Sequence, residues 1–313
     1  MPDYITIKDQ KIGIGENRKI NLNIARLPTY TSIDLPVHVY RAKQDGPVLL
    51  LTGGLHGDEI NGIEIIRRLI STKQILPKVG TVIALPIVNI YGFLLNVRGV
   101  PDGKDINRSF PGIKGGSLAR LLAYTLMTQI IPQIDCGVDF HTGGASKANF
   151  PQIRCSFNLQ GAKELAKAFD APITLHSTLI PKSFRSASNK KKKTILVYET
   201  GESLRFDEHG IGLGIEGTLK LMKHLGMKFQ APEIKGTRMF RKSGWVRAKT
   251  AGLFSPEFEL GTSIEKKRSL GFISDPFGGK KTKVVFSEPG IIIGQNNNPI
   301  VHKGDALIHI AYN

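Results

Sequence analysis

Two cysteines in 313 residues leave no room for a disulfide framework. One tryptophan and 7% aromatic residues leave little for stacking bases. Long hydrophobic runs are missing as well. The longest nearly apolar stretch, Val48 to Leu55, is broken by Gly53 and Gly54 and falls far short of the ~20 residues a membrane span needs. The opening MPDYITIKDQKIG lacks the basic start and apolar run of a secretory signal, so a cytoplasmic protein with no membrane contact is expected. Acids are scarce against bases, 26 to 43, for a formal net charge of +17. That excess suits nucleic acid, an anionic surface or an acidic small substrate. No helix-turn-helix, zinc-finger or RNP-like pattern organises it for nucleic acid, and none is expected as a partner. The one dense basic run, Lys190 to Lys193, reads as a solvated loop.

What is present is ordinary globular composition, 41% hydrophobic and 22% charged, arranged in two textures. From about Val48 to Met227 strand-like and helix-like stretches alternate, which predicts an α/β domain. PVLLLTGG, VGTVIALPIVN, QIDCGVDFHTGG and KTILVYETG read as buried strands. DEINGIEIIRRLI has apolar residues at helical spacing, Ile60, Ile63, Ile66, Leu69 and Ile70. SLARLLAYTLMTQII is helical up to Pro132, and HGIGLGIEGTLKLMKHLG is a helix closed by Gly226. After about Lys235 helical periodicity stops. GWVRAKTAG, GFISDPFGG, TKVVFSEPGIIIG and PIVHKGDALIHIA are short strands between turns. The expected organisation is a catalytic domain over 1–235 and a small all-β barrel or sandwich over 236–313.

The strongest local signal is GGLHGDEING, where a buried strand ends, two glycines turn the chain, and His56 and Glu59 follow at the mouth of a helix. Residues three apart on a helix share a face, and an imidazole with a carboxylate suits zinc, which catalytic sites hold by two His, one Glu and a water. His-x-x-Glu alone is a weak signal. Open α/β sheets, however, bind ligands beyond the carboxyl ends of their strands, and DFHTGG offers His141 at a second strand end. The other histidines, His38, His176, His209, His224, His302 and His309, lack such a setting and read as structural or solvated. VYETGES puts Glu199 at a third strand end, as a carboxylate able to take and return a proton. RGVPDGKDINRSFPG carries Arg98, Asn107 and Arg108 in a turn-rich loop, where guanidinium groups could clamp a carboxylate or an oxyanion. Arg108 pairing with Asp102 or Asp105 to pin the loop is the plainer reading. Arg154, in FPQIRCSF, would read a second acidic group on a substrate or stand as a surface arginine.

HGDE, DINRSFPG, DFHTG and VYETG, in this order, resemble the succinylglutamate desuccinylase/aspartoacylase family, zinc deacylases related to metallocarboxypeptidases. The likeness covers about residues 40–230 by motif and continues into GWVRAKTAGLF and DPFGG, which look like those of a predicted deacylase subgroup. It implies one Zn2+ per chain on His56, Glu59 and His141. Glu199 would be the general base and acid, Arg98 would polarise the scissile carbonyl, and Asn107 and Arg108 would hold the substrate's carboxylate. It also implies a zinc-carboxypeptidase-like α/β fold, a mixed sheet between helices, with the β domain walling the site through residues the sequence does not identify. The expected substrate is a small anionic N-acyl amino acid, N-acetyl, N-succinyl or similar. The rivals are a zinc carboxypeptidase or amidase acting on small peptides, a basic nucleic-acid-binding protein, and a biotinyl or lipoyl carrier using Lys280 or Lys281. Cobalt or manganese would suit the same ligands, and a homo-oligomer is the base-rate expectation.

Overall fold

VLLLT and TVIAL are apolar at nearly every position because both faces of their strands are covered, the signature of a parallel sheet between helices. The computed structural model describes residues 4–26 and 29–313. A hairpin, β1 (Tyr4–Ile7) and β2 (Gln10–Gly13), precedes the antiparallel pair β3 (Asn17–Arg26) and β4 (Ser32–Arg41). Next come β5 (Val48–Thr52), α1 (Asn61–Ser71), β6 (Thr81–Leu85), α2 (Ile90–Leu95) and α3 (Leu118–Thr125). β7 (Cys136–Gly143), β8 (Lys147–Cys155), α4 (Ala162–Phe169), β9 (Ile173–His176), α5 (Phe184–Lys190), β10 (Thr194–Glu202) and α6 (Glu208–His224) complete the α/β region. The regular elements beyond are strands: β11 (Arg238–Phe240), β12 (Lys242–Arg247), β13 (Gly252–Pro256), β14 (Ser263–Ile264), β15 (Ser269–Ser274), β16 (Lys281–Val285), β17 (Gly290–Asn296), β18 (Ile300–Val301) and β19 (Ala306–Tyr312).

The main sheet runs β12-β19-β17-β8-β10-β7-β5-β6-β4-β3, with β9 and β11 beyond β8 and β14 beside β17. Its centre, β10-β7-β5-β6, is parallel, and the strands flanking it, β8 and β4, are antiparallel. Leu49 and Leu51 face α1, α4 and α6, packing with Ile65, Ile66, Phe169 and Ile211. Val48 and Leu50 face the other way, toward Leu122 and Ala123 of α3 and Phe184 of α5. The expected mixed sheet between helices is therefore present. The helix expected up to Pro132 is shorter. α3 gives way to a wider turn over Leu126–Ile130 and a tight one over Ile131–Gln133, because a proline has no N–H to continue the ladder.

TKVVFSEPGIIIG proves to be two strands, β16 and β17, parted at the turn around Pro289. β16, β15, β13 and β18 form a separate antiparallel sheet around a core of its own, including Phe254, Leu270, Ile273 and Leu307. β17 instead pairs with β8, setting Gly294 opposite Asn149, and so extends the main sheet. The crossing into this region is clamped by Asp170. Its carboxylate accepts from Lys220 Nζ at 2.9 Å and from the backbone N–H groups of Lys235 and Gly236 at 2.8 and 2.9 Å. Among the described residues no helix is long and apolar enough to cross a membrane.

Candidate active site

Three adjacent parallel strands, β5, β7 and β10, deliver residues to one place at their carboxyl ends. β10 sets Glu199 directly opposite His141 of β7, so the two side chains share a face. Beyond β5 the chain makes a tight turn closed by Glu59 N donating to His56 O at 3.2 Å. His56 and Glu59 thus precede α1, which begins at Asn61. A turn brings positions i and i+3 together as a helix would, so the pairing expected of them holds on a different backbone. Gly57 is required there by close approach, since a Cβ would lie 1.9 Å from the Gly92 carbonyl carbon in α2.

His56 Nδ1 lies 2.9 Å from Glu59 Oε1, without hydrogen-bond geometry, and His141 Nδ1 lies 2.8 Å from Glu59 Oε2. All three residues are buried, and their ligand atoms lie within 4.8 Å of one another. The far ring nitrogens are held by carboxylates, His56 Nε2 to Asp105 Oδ1 at 3.1 Å and His141 Nε2 to Asp139 Oδ2 at 2.7 Å. Asp139 is itself oriented by the Thr52 hydroxyl at 2.7 Å. Burial alone would raise the Glu59 carboxyl, but the two imidazoles beside it hold it well below its ordinary value. Burial would likewise depress His141, yet Asp139 and Glu59 raise it well above the usual imidazole range. Three carboxylates around two imidazoles make a field that favours a cation. Two Nδ1 atoms and one carboxylate converging, with carboxylates behind both rings, fit a zinc-type donor set and its outer partners.

The remaining predicted residues line the same cavity, of about 280 Å³. Glu199 accepts from Asn149 Nδ2 at 2.8 Å and pairs with Arg154 Nη1 at 3.1 Å. Arg154 therefore faces Glu199 across neighbouring strands and lines the cavity, so it is not the plain surface arginine the sequence also allowed. Arg98 donates to Glu59 Oε1 at 2.8 Å and to Asp105 Oδ2 at 3.1 Å. Asn107 lies in the turn capped by Asp105, and its side-chain oxygen accepts from the Phe184 N–H at 2.9 Å. Arg108 is exposed and donates to the Asn107 carbonyl at 2.7 Å. It does not pin the loop to an acid; Asp105 does that, through His56 and Arg98.

Several lining residues escaped the sequence reading, among them Asn149, the donor to Glu199, and Asp139, Arg185, Trp245 and His309. Asp139 stands two before His141, and strand alternation puts the pair on one face, a signal that was available. Arg185, on α5, is buried; its Nη2 donates to Ser177 Oγ at 3.0 Å and Thr178 O at 2.6 Å, and its Nη1 has no hydrogen-bond partner among the described residues. Asn107 latches onto the residue just before it. Trp245 and His309 come from the C-terminal strands, stacked with ring centroids 4.7 Å apart. His309 is buried and bonded to Ser243 Oγ, within the structural role expected of it, but it also lines the cavity; His209, His224 and His302 are exposed and His176 accepts from the Phe157 N–H.

Comparison with known proteins matches residues 45–225 to the succinylglutamate desuccinylase/aspartoacylase catalytic domain. The chain is 28% identical over 305 residues to an N-alpha-acetyl-L-2,4-diaminobutyric acid deacetylase of Halomonas elongata, covering 90% of this chain and 86% of that protein. Among solved structures it is similar to a succinylglutamate desuccinylase/aspartoacylase from Rhodobacter sphaeroides, with 28% identity, 95% of each chain covered and a TM-score of 0.82. The product-bound Ectoine utilization protein EutE (DoeB) from Ruegeria pomeroyi shares the fold at a TM-score of 0.85, with 21% identity and both chains fully covered.

Proposed function

Because the chain belongs to the succinylglutamate desuccinylase/aspartoacylase family, we propose that it is a zinc-dependent deacylase. It removes the acyl group of a small anionic N-acyl amino acid. The observation that carries this reading is the convergence of His56, Glu59 and His141 within 4.8 Å in a cavity that also holds Glu199. When bound there, zinc supplies Lewis-acid activation of water and of the scissile carbonyl. Glu199 takes the proton from the attacking water and returns it to the leaving amine. Asn149 and Arg154 fix its carboxylate while it does so. Arg98, held at the edge of the cluster by Glu59 and Asp105, would stabilise the negative charge that develops on the carbonyl oxygen.

Arg185 supports the anionic substrate. A buried guanidinium with no carboxylate among its partners is costly, and burial accordingly lowers its pKa. A free carboxylate entering beside Asn107 and Arg108 would complete it with paired hydrogen bonds. The relative named for N-acetyl-diaminobutyrate supports the reaction class.

The test measures metal in the wild type and Glu199→Gln, then amine released from N-acetyl, N-succinyl and other N-acyl amino acids and from short peptides. We expect one zinc per chain in both proteins and turnover of acyl amino acids by the wild type, lowered about 10²–10⁴-fold in the variant. Turnover of peptides alone would make it a peptidase. Absence of bound metal would remove the reading.

A further inference from the structure

Between α2 and the turn that begins at Ile106 the chain forms no helix or strand, yet this stretch carries Arg98. The Arg98 side chain is 42% exposed, so packing around it does little to fix it. Its backbone is fixed instead by Asn89, which lies beyond the carboxyl end of β6 and is 0% exposed. Asn89 Nδ2 donates to Arg98 O at 3.1 Å and to Gly99 O at 3.0 Å. Its Oδ1 accepts from the Gly92 N–H at 2.9 Å and so caps α2. Its own N–H donates to Gly54 O at 2.8 Å, just past β5. A flipped amide would set oxygen against two carbonyls and nitrogen against an N–H, so one orientation alone satisfies the network.

The Arg98 carbonyl also serves the metal turn. It accepts from the Gly57 N–H at 3.3 Å, and Gly57 lies between His56 and Glu59. Three segments, the His56–Glu59 turn, α2 and the Arg98 loop, therefore meet around one carbonyl. They meet too closely for a side chain at Gly92, where a Cβ would lie 2.4 Å from Asn89 Nδ2 and 2.7 Å from Gly99 O. From this anchored backbone the Arg98 head group reaches Glu59 and Asp105. A capping role would occupy only the Asn89 oxygen. Both amide hydrogens are directed at the loop that carries Arg98, and without them two carbonyls would lose a donor.

We propose that Asn89 is a positioning residue, which holds Arg98 against the metal turn and acts on the reaction only through it. The effect on catalysis rests on the deacylase reading; the placement of Arg98 does not. A shift of about 1 Å in such a group is enough to cost about 10²-fold in rate.

The experiment compares the zinc-loaded full chain with Asn89→Ser, Arg98→Met and the double variant. Serine is a good helix cap, so Asn89→Ser keeps the bond to α2 and removes both donors to the loop. The first measurement is NMR of the arginine Nε–H groups, where the Arg98 signal is the one missing from Arg98→Met. That group donates to Asp105 Oδ2 at 3.2 Å. In Asn89→Ser the signal should move and exchange with water about tenfold faster, the worth of one hydrogen bond. The second measurement is turnover of an N-acetyl amino acid. Arg98→Met should lower kcat about 10²–10³-fold. Asn89→Ser should lower it about 10–100-fold with KM and zinc content held. In the Arg98→Met background the same change should cost less than about twofold, since the group it positions is already gone. Asn89→Asp, of the same shape with the cap kept and the donors lost, should agree in both measurements.

Asn61 supplies the comparison. It is equally buried, and its side chain bonds Thr200 O and the Asp207 N–H, both at 3.1 Å, not the Arg98 loop. Asn61→Ser should lower the melting temperature and leave the Arg98 signal unmoved. An unmoved Arg98 signal in the Asn89 variants would overturn the proposal. So would a kcat loss that persists in full in the Arg98→Met background. A moved signal in a chain that releases no amine would keep Asn89 as the anchor of Arg98 and remove the deacylase.

Discussion

The two ends of the cavity are built on opposite principles. At the metal end every donor is satisfied from behind: His56 by Asp105, His141 by Asp139, and Glu59 by Arg98 and the Thr142 N–H. At the substrate end two buried nitrogens, Arg185 Nη1 and His309 Nδ1, have no hydrogen-bond partner among the described residues. A catalytic centre has to hold its geometry through each turnover, so its ligands are locked by outer partners. A recognition surface gains selectivity by leaving its polar atoms bare until the right ligand arrives, since a wrong one leaves them bare still.

The largest expected effect falls on the locked end. His141→Ala deletes one of the three proposed ligands and should abolish both zinc retention and amine release. Metal analysis after gel filtration checks it, and a variant that keeps stoichiometric zinc would break the assignment. Arg185→Met should act differently. It should lower kcat/KM about 10–100-fold, mainly through KM, since a hydrogen bond to a charged group is worth about 1.5–3 kcal/mol. Metal content should be untouched, and the melting temperature should not fall, because the residue lacks a carboxylate to strand. A drop in stability with unchanged KM would show Arg185 to be structural and would erase the contrast. Asp139→Asn, behind the metal ligand, should weaken metal affinity about 10–100-fold while substrate KM holds once zinc is in excess. Competition with a chelator reads that shift.

The contrast also explains what the sequence makes legible. His56, Glu59, His141 and Glu199 stand at strand ends in glycine turns, so local pattern alone marks them, and the parallel order of β5, β7 and β10 does the rest. The helix spacing argued for His56 and Glu59 was the wrong geometry for the right pair, because a tight turn and a helix both bring i and i+3 together. Arg185 is hidden in FRSASNK, an unremarkable polar helix, until α5 folds against the Asn107 loop. Trp245 and His309 are separated from Glu199 by 46 and 110 positions in the numbering and join it only because β17 pairs with β8. No local pattern carries a pairing of that span, since it depends on the register of successive strands across one sheet. The texture change near Lys235 is visible as composition, yet the strands beyond it divide between a sheet of their own and the main one.

The smallest effect tests whether the open end is as dry as its unpaired atoms imply. Burial, then Arg154, depresses the His309 pKa from 6.5 to about 3. Above pH 6.5 the ring is neutral in both folded and unfolded chains and stability is independent of it. As pH falls from 6.5 toward 3, the unfolded chain binds a proton that the folded one refuses, so stability is lost. Between pH 7 and pH 5 that loss should be about 2 kcal/mol. His309→Phe removes the titration and should lose correspondingly less over the same interval, while every other group titrates in both proteins. Urea midpoints at the two pH values measure the difference. Parallel losses would mean that the ring takes up its proton as freely in the folded chain as in the unfolded one. The C-terminal wall would then be wet and the substrate end no drier than the surface around it.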